Sequence, residues 1–447
     1  MTRPAPAVGG LTVVDLFCGA GGLSEGFRQA GFEVMAGSDH DPDAVATYAA
    51  NFPGALALCG DVRDPAVRER LDEAAAGADV LVGGPPCQAF SQVRNHSRLI
   101  DDPRNTLYRE FVSSLAAARP AAFLMENVPG LAQMGVKEQV LADLALDGEY
   151  RVEAQLTDAA DFGVPQTRKR LLFLGVRADL GVDAPLLAGT GATAALQLVR
   201  FASDTDAAAG IGVGYAVAAR PDAGGEELAL RLADPYDDTV VPAGQAIGDL
   251  AGLQAGRRGE ALEESELPPA ASAYQLAMRS GLHGRLQNVS VPRCQPDTAL
   301  RLAGVPAGGN HRDLPEELRA RYLTGAKWGP HNGTGRLGRA HYYAYRRLHP
   351  DLWAWTLNTK GDSAYHWAAP RCLSVREFAR LQSFPDSFAF TTDPRRGPLP
   401  GRIDGGAAHS RYRQAGNAVP PRLAAAAAEA LAGVIAAARA GSVHTAA

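Results

Sequence analysis

The sequence predicts a two-domain α/β protein: a doubly wound, mostly parallel sheet with a second, smaller domain. Three observations carry this reading. At 447 residues the chain is long enough for more than one hydrophobic core. From Leu11 to about Val176, short apolar runs alternate with helical stretches, the pattern of β-α-β units. After Ala178 the alternation stops, and regular structure resumes only after Ser374.

In order, Leu11–Phe17, Glu33–Ser38, Asp79–Val82, Ala121–Glu126 and Leu171–Val176 read as strands. Leu23–Ala30, Pro42–Asn51, Val67–Ala76, Thr106–Ala118 and Val136–Leu146 read as the helices between them, and Pro421–Ala440 as a closing Ala-rich helix. Such sheets bind ligands outside the carboxyl ends of their strands, so strand ends are the place to look for function. Residues 201–268 carry thirteen acids against four basic residues and read as facing away from phosphate. Residues 318–350 carry Arg319, Arg321, Lys327, Arg336, Arg339, Arg346 and Arg347 with no acid, interleaved with tyrosines and Trp328. That mixture reads as phosphate and base contact, with a solvated face over packed aromatics as the alternative.

Composition narrows the classes. The chain is 46% hydrophobic and 21% charged, as a soluble globular protein is, and its formal charge of −5 gives no overall pull toward nucleic acid. The five cysteines form no C-x-x-C pair and no Cys/His cluster, so neither a disulfide framework nor a metal site is indicated. A reducing, cytoplasmic setting fits this usage. No signal-type h-region and no apolar run of membrane-spanning length is present.

Four motifs carry chemistry. Gly83-Gly84-Pro85-Pro86-Cys87-Gln88-Ala89-Phe90-Ser91 follows a buried-strand pattern and holds Cys87 on a stiffened loop. The thiol is either a nucleophile, which needs an electropositive, partly open site, or a small buried hydrophobe in a turn. Asp15-Leu16-Phe17-Cys18-Gly19-Ala20-Gly21-Gly22 turns a strand into a helix and lets backbone approach a nucleotide-like ligand; it lacks the G-x-G-x-x-G of dinucleotide sites. Asp39 and Asp61 stand at the next two strand ends, suited to ribose hydroxyls and an adenine amine, or to capping helices. Glu126-Asn127-Val128 and Gln166-Thr167-Arg168-Lys169-Arg170 place an acid and two same-side arginines at further strand ends, where a turn cap and a solvated edge are the bland alternatives.

In this linear order the motifs resemble those of the cytosine-C5 DNA methyltransferases. The likeness runs from Asp15 to Arg170 and again from about Leu348 to Leu431, where Arg376–Gln382 and Gln414–Pro420 resemble the last two family motifs. The resemblance implies a class I S-adenosylmethionine-dependent fold and transfer of a methyl group from S-adenosylmethionine to C5 of a cytosine flipped out of duplex DNA. It implies Cys87 as the nucleophile on C6, Glu126 as partner of N3 and the exocyclic amine, and Arg168 and Arg170 as fixed positive charge at the base. Phe17, Gly19, Gly21, Asp39, His40, Asp61, Val62, Pro85, Asn417 and Ala418 would line the cofactor site; Gln88, Ser91, Gln166, Arg336 and Arg339 would meet DNA. Residues 1–177 and 366–447 would form the catalytic domain and 178–365 the target-recognition domain. A monomeric enzyme acting on double-stranded DNA, with a companion restriction endonuclease as an optional partner, follows from the same likeness. Two alternatives are a tRNA cytosine methyltransferase, whose Cys-Phe-Thr segment is missing at Cys294-Gln295-Pro296, and an inactive DNA-binding module. Ala89, His40 and Ala418 depart from the commonest family pattern.

Overall fold

The computed structural model describes residues 10–86, 107–133, 136–202, 213–318, 345–396 and 407–445. Its main sheet contains β1 (Thr12–Leu16), β2 (Glu33–Asp39), β3 (Leu56–Cys59), β4 (Val80–Gly83), β5 (Ala122–Asn127), β6 (Tyr150–Asp158) and β7 (Lys169–Arg177). They lie in the order β3-β2-β1-β4-β5-β7-β6. The first five are parallel, and β7 runs antiparallel between β5 and β6. The five strands read from sequence are present; β3 and β6 are additions. β3 is a run of only four residues, and β6 is an edge strand with exposed and half-buried positions down most of its length, so β6 carries no apolar run.

Successive residues of the central strands face opposite layers, as the two-residue repeat of a strand requires. Val13, Val80, Val82 and Leu124 pack under Leu23 and Phe27 of α1 (Gly22–Gln29). Val14, Leu81, Phe123 and Met125 face Leu71 of α3 (Pro65–Ala75), Phe111 and Leu115 of α4 (Leu107–Ala118), and Val140 of α5 (Lys137–Ala145). Helices α2 (Pro42–Asn51) and α3 each begin with Asp-Pro: Asp41 and Asp64 accept the first-turn N–H, and proline fills the position that needs no donor.

Beyond β7 lie a hairpin of β8 (Leu196–Ala202) and β9 (Val213–Ala219), and, among other helices, α6 (Gly225–Ala233), α7 (Ala243–Ile247), α8 (Ala273–Arg279) and α9 (Pro296–Ala303). The chain closes with α10 (Val375–Leu381), α11 (Ala407–Asn417) and α12 (Pro421–Thr445). Helix α12 covers the α1 side of the sheet, where a Cβ on Gly22 would lie 2.2 Å from the Val419 carbonyl and one on Gly26 2.4 Å from that of Pro421. One turn apart, the two glycines permit this close approach. Among the described residues, His409–Ala440 is the one stretch long and apolar enough to cross a membrane by length and composition; within it Leu423, Ala427 and Leu431 are fully buried.

The expected division of the chain at 178 and 365 is not followed by the packing. Val241, Ala246, Ile247, Tyr274 and Met278 share one apolar cluster with Tyr48, Phe52, Phe378, Phe384 and Ala415. The reason lies in α10, all seven of whose residues are buried, two arginines and a glutamate included. Glu377 caps its own helix through Ser374 and receives both ends of the Arg371 fork at 2.9 Å. Arg380 forks onto Asp386 at 2.9 and 2.7 Å and reaches Asp249, beside α7, at 2.5 Å. The intervening region therefore supplies one of the two carboxylates that the buried Arg380 meets. The hairpin and the apolar groups around Leu286 and Leu302 form clusters of their own.

Arg380→Met leaves Asp249 and Asp386 with one fewer cation in a dry interior. It is expected to lower stability by about 3 kcal/mol or more, read from urea unfolding midpoints.

Candidate active site

A cleft of about 310 Å³ opens at the carboxyl ends of β1 and β2, lined by Leu16, Phe17, Ser38, Asp39, His40, Gly60, Asp61, Val62, Arg63, Pro86 and Leu107. Phe17 holds φ of 59°, an uncommon backbone for a bulky residue, and the turn is pinned by Cys18 N–H donating to Ser38 O at 3.0 Å and Gly21 N–H to Cys18 O at 2.8 Å. The Asp39 carboxylate is oriented from two sides, by the Gly19 N–H at 3.0 Å and the Asp41 N–H at 2.9 Å, and Oδ2 keeps a lone pair for a ligand. Asp61 stands on the rim, forked to Arg63, whose hydrogen bonds hold its carboxyl down at about 2. Exposed His40 lies 3.3 Å from Asp39, which raises its pKa. Gly19 and Gly21 shape the turn without a side chain to offer.

The second group of residues stands where β5 and β7 meet. Antiparallel pairing sets Glu126 opposite Leu172, which brings the start of β7 beside the end of β5. Arg170 Nε lies 2.5 Å from Glu126 Oε1, with both side chains largely buried. A Cβ on Gly84 would sit 3.2 Å from the other Glu126 oxygen, so the loop after β4 runs directly over this carboxylate. Asn127 Nδ2 donates to Pro85 O at 3.3 Å, tying the end of β5 to the backbone two residues before Cys87. Pro86 lines the cleft, so the cleft reaches the same loop. Cys87, Gln88, Ala89, Ser91, Arg336 and Arg339 lie outside the described residues.

Two residues differ from the sequence expectation. Gln166, read as a DNA contact, is fully buried: its Nε2 donates to Leu381 O at 3.1 Å and Gln382 Oε1 at 3.0 Å, and its Oε1 accepts from Leu357 N–H at 2.9 Å. Its amide is committed inside the protein, so it positions chain segments. Arg168, read as a charge at the base, donates Nη1 to Leu357 O at 3.2 Å and Nη2 to Gly416 O at 2.8 Å. Burial first, then the charge of Arg170, push its pKa well down. Of the two arginines, Arg170 is the one joined to Glu126.

Asn417 and Ala418 follow directly. The first is exposed, and the second touches the start of α1, with its Cβ 3.2 Å from where a Cβ on Gly22 would be. A polar seam explains their position. Down one face of α2, Asp43 accepts from Ser410 Oγ at 2.6 Å, Thr47 donates to Gln414 at 2.6 Å, and Asn51 to Ala389 O at 2.9 Å. At the top of the same helix Arg413 Nη2 meets Asp41 Oδ2 at 2.7 Å. Sequence reasoning missed Arg63, Leu107 and Arg413; the available signal for the seam was a row of polar residues at helical spacing where an apolar stripe belongs.

Comparison with known proteins agrees with this geometry. The profile of the family described as C-5 cytosine-specific DNA methylase matches residues 11–204 and 325–433. The type II methyltransferase M.AgeI of Thalassovita gelatinovora is 32% identical over 94% of this chain and 98% of its own length. The DNA (cytosine-5-)-methyltransferase M.ApeKI of Aeropyrum pernix is 28% identical over 95% and 98%. In fold, the chain is similar to a prophage-encoded E. coli protein described as a DNA modification methyltransferase, with a TM-score of 0.55, 22% identity and coverage of 95% and 99%.

Two outcomes follow from the site. Arg413→Ala frees the turn that carries Asp39, so binding of S-adenosylmethionine is expected to weaken about tenfold in calorimetric titration, with most of it restored by Arg413→Lys. Burial pushes the Asp15 carboxyl up to about 7. The folded state then holds this proton where the unfolded chain has lost it, so stability falls as pH rises from about 4 to 7. Unfolding midpoints across that range should fall less steeply in Asp15→Asn.

Proposed function

The chain belongs to the C-5 cytosine-specific DNA methylase family, and we propose that it methylates C5 of a cytosine flipped out of a specific duplex DNA site, through a covalent bond between Cys87 and C6. It is a DNA (cytosine-5-)-methyltransferase, and S-adenosylmethionine is its cofactor. The observation that carries the finer reading is the Glu126–Arg170 pair under the Gly84–Pro85 loop, whose next residue, Pro86, lines the same cleft as Asp39.

The cleft residues fit this cofactor: Asp39 presents a carboxylate acceptor to the ribose hydroxyls, and Phe17, Val62 and Leu107 offer apolar surface for a flat base. When bound, the cofactor supplies an electrophilic methyl group. Cytosine C5 is a poor nucleophile until the ring loses its aromaticity. Attack of the Cys87 thiolate on C6 forms the S–C6 bond and makes C5 enamine-like. Protonated Glu126 donates to N3 and accepts from the exocyclic amine as charge develops there. Arg170 orients Glu126 and holds positive charge beside the base. After C5 gains the methyl group, a water or hydroxide removes the C5 proton, and the electron pair expels the Cys87 thiolate. Asn127 keeps the nucleophile's loop in register through Pro85.

A base within a duplex is out of reach of this geometry, which is why flipping belongs to the proposal. Reading of neighbouring base pairs falls to residues 178–365, chiefly the parts outside the shared core. Several relatives are named type II methyltransferases. A monomer in the cytoplasm, with or without a companion endonuclease, meets the chemical requirements.

Incubation with tritiated S-adenosylmethionine and either duplex DNA or tRNA tests the reading. Label is expected in DNA alone. Cys87→Ser should abolish it, and Glu126→Gln should lower the rate by roughly 10²- to 10⁴-fold while S-adenosylmethionine still binds. Label in tRNA but not in DNA, or in neither, would contradict the proposal.

A further inference from the structure

Away from the methyl-transfer cleft, a second cavity of about 330 Å³ is lined by Arg257, Arg258, Glu260, Ser290, Arg293 and Tyr412, among others. Its walls are two chain segments joined by backbone hydrogen bonds. Gly256 N–H donates to Pro292 O at 3.2 Å, Val291 N–H to Arg257 O at 2.9 Å, and Val289 N–H to Glu260 O at 3.2 Å. Gly256, at φ +79°, makes the turn that delivers two arginines in succession, and its Cβ position would lie 3.2 Å from the Arg293 stem. The three arginines are therefore presented by a fixed scaffold.

What sets this cavity apart is its charge balance. Glu260, its one acid, is engaged already, accepting from Arg411 Nη1 at 2.9 Å and from Ser290 Oγ at 3.1 Å. Arg257 donates Nη2 to Ala261 O at 3.0 Å, while its Nε is buried without an acceptor. Arg258 and Arg293 have no hydrogen-bond or ion-pair partner among the described residues. Three guanidinium groups thus share one concavity with no carboxylate left for them, in a chain whose formal charge is −5. A buried donor without an acceptor calls for an explanation, and planar guanidinium forks match the oxygens of a phosphate.

We propose that the cavity formed by Arg257, Arg258 and Arg293 grips the sugar–phosphate backbone of DNA, away from the reacting base. This rests on the reading of DNA as substrate, and it gives part of the 201–268 stretch a role opposite to the one its acidic composition implied. Phosphate contacts of this kind add affinity and fix the protein on the duplex without reading sequence.

The test uses the full chain, a mixed-sequence duplex, and the variant Arg258→Ala/Arg293→Ala. Binding is followed by fluorescence anisotropy over a range of salt. Loss of two phosphate contacts is expected to reduce the slope of log affinity against log salt by about 2 and to weaken binding about tenfold at low salt, with slope retained in Arg258→Lys/Arg293→Lys. S-adenosylmethionine affinity and the unfolding midpoint should stay at wild-type values. An unchanged slope and affinity would overturn the proposal. So would loss of inorganic phosphate binding in the variant with DNA binding intact, which would mark a site for a free anion. If the wild type binds DNA with this arginine dependence yet transfers no methyl group, the methyltransferase reading fails and the backbone contact stands.

Discussion

The arrangement of the site depends on two buried side chains at the entry to β7, Gln166 and Arg168. The chain enters β7 just after them, and Leu357, which both contact, is 189 residues beyond Arg168. Gln166 holds Leu357, Leu381 and Gln382 together, and Gln382 passes the connection on to Ala415 O at 2.7 Å. Arg168 ties Leu357 to Gly416. Each neutral bond contributes only about 1 kcal/mol net, whereas a lost partner would leave a buried polar group unsatisfied at a larger cost. The junction is therefore far more specific than a patch of apolar packing, since one-residue slippage anywhere would strand a donor.

Two consequences follow for the site. The junction aims the β7 strand so that Arg170, the next same-side residue, meets Glu126. It also sets the end of α11 against the start of α1, where the seam to α2 and the Arg413–Asp41 pair hold the turn bearing Asp39. The Asp39 cleft and the Glu126 carboxylate are built from distant stretches of chain, yet a short run of hydrogen bonds links them. The α10 cluster of arginines with Glu377, Asp386 and Asp249 does for the intervening region what the junction does for the sheet.

Much of this was legible in the sequence, for identifiable reasons. Buried parallel strands declare themselves as short apolar runs, and glycine- and proline-rich turns at their ends mark where ligands approach. Thus β1, β2, β4, β5, β7, the Asp39 turn and the Glu126 position were all readable. Edge strands β3 and β6 were not: β3 is an apolar run of only four residues, and the solvated face of β6 removes the apolar signal. Gln166 and Arg168 read in the sequence as residues at the substrate, and the structure bonds their polar atoms within the protein; polar side chains in a motif look the same whether they face a ligand or bind the chain together. Burial separates the two cases, and burial is not written in local sequence. The boundaries read at 178 and 365 follow the change in composition, whereas Asp249 and Tyr274 from between them bond to α10. Arg257 and Arg258 were hidden by the average charge of their neighbours.

The central claim is that the loop after β4, held by Asn127 over Glu126 and Arg170, carries the nucleophile of a covalent methyl transfer. The most direct measurement is mass spectrometry of the protein after reaction with S-adenosylmethionine and duplex DNA carrying 5-fluorocytosine, which has no C5 proton to lose and so cannot release the enzyme. The account predicts a stable protein–DNA adduct on the peptide containing Cys87, absent in Cys87→Ser. An adduct that persists in that variant, or maps to another residue, would contradict it.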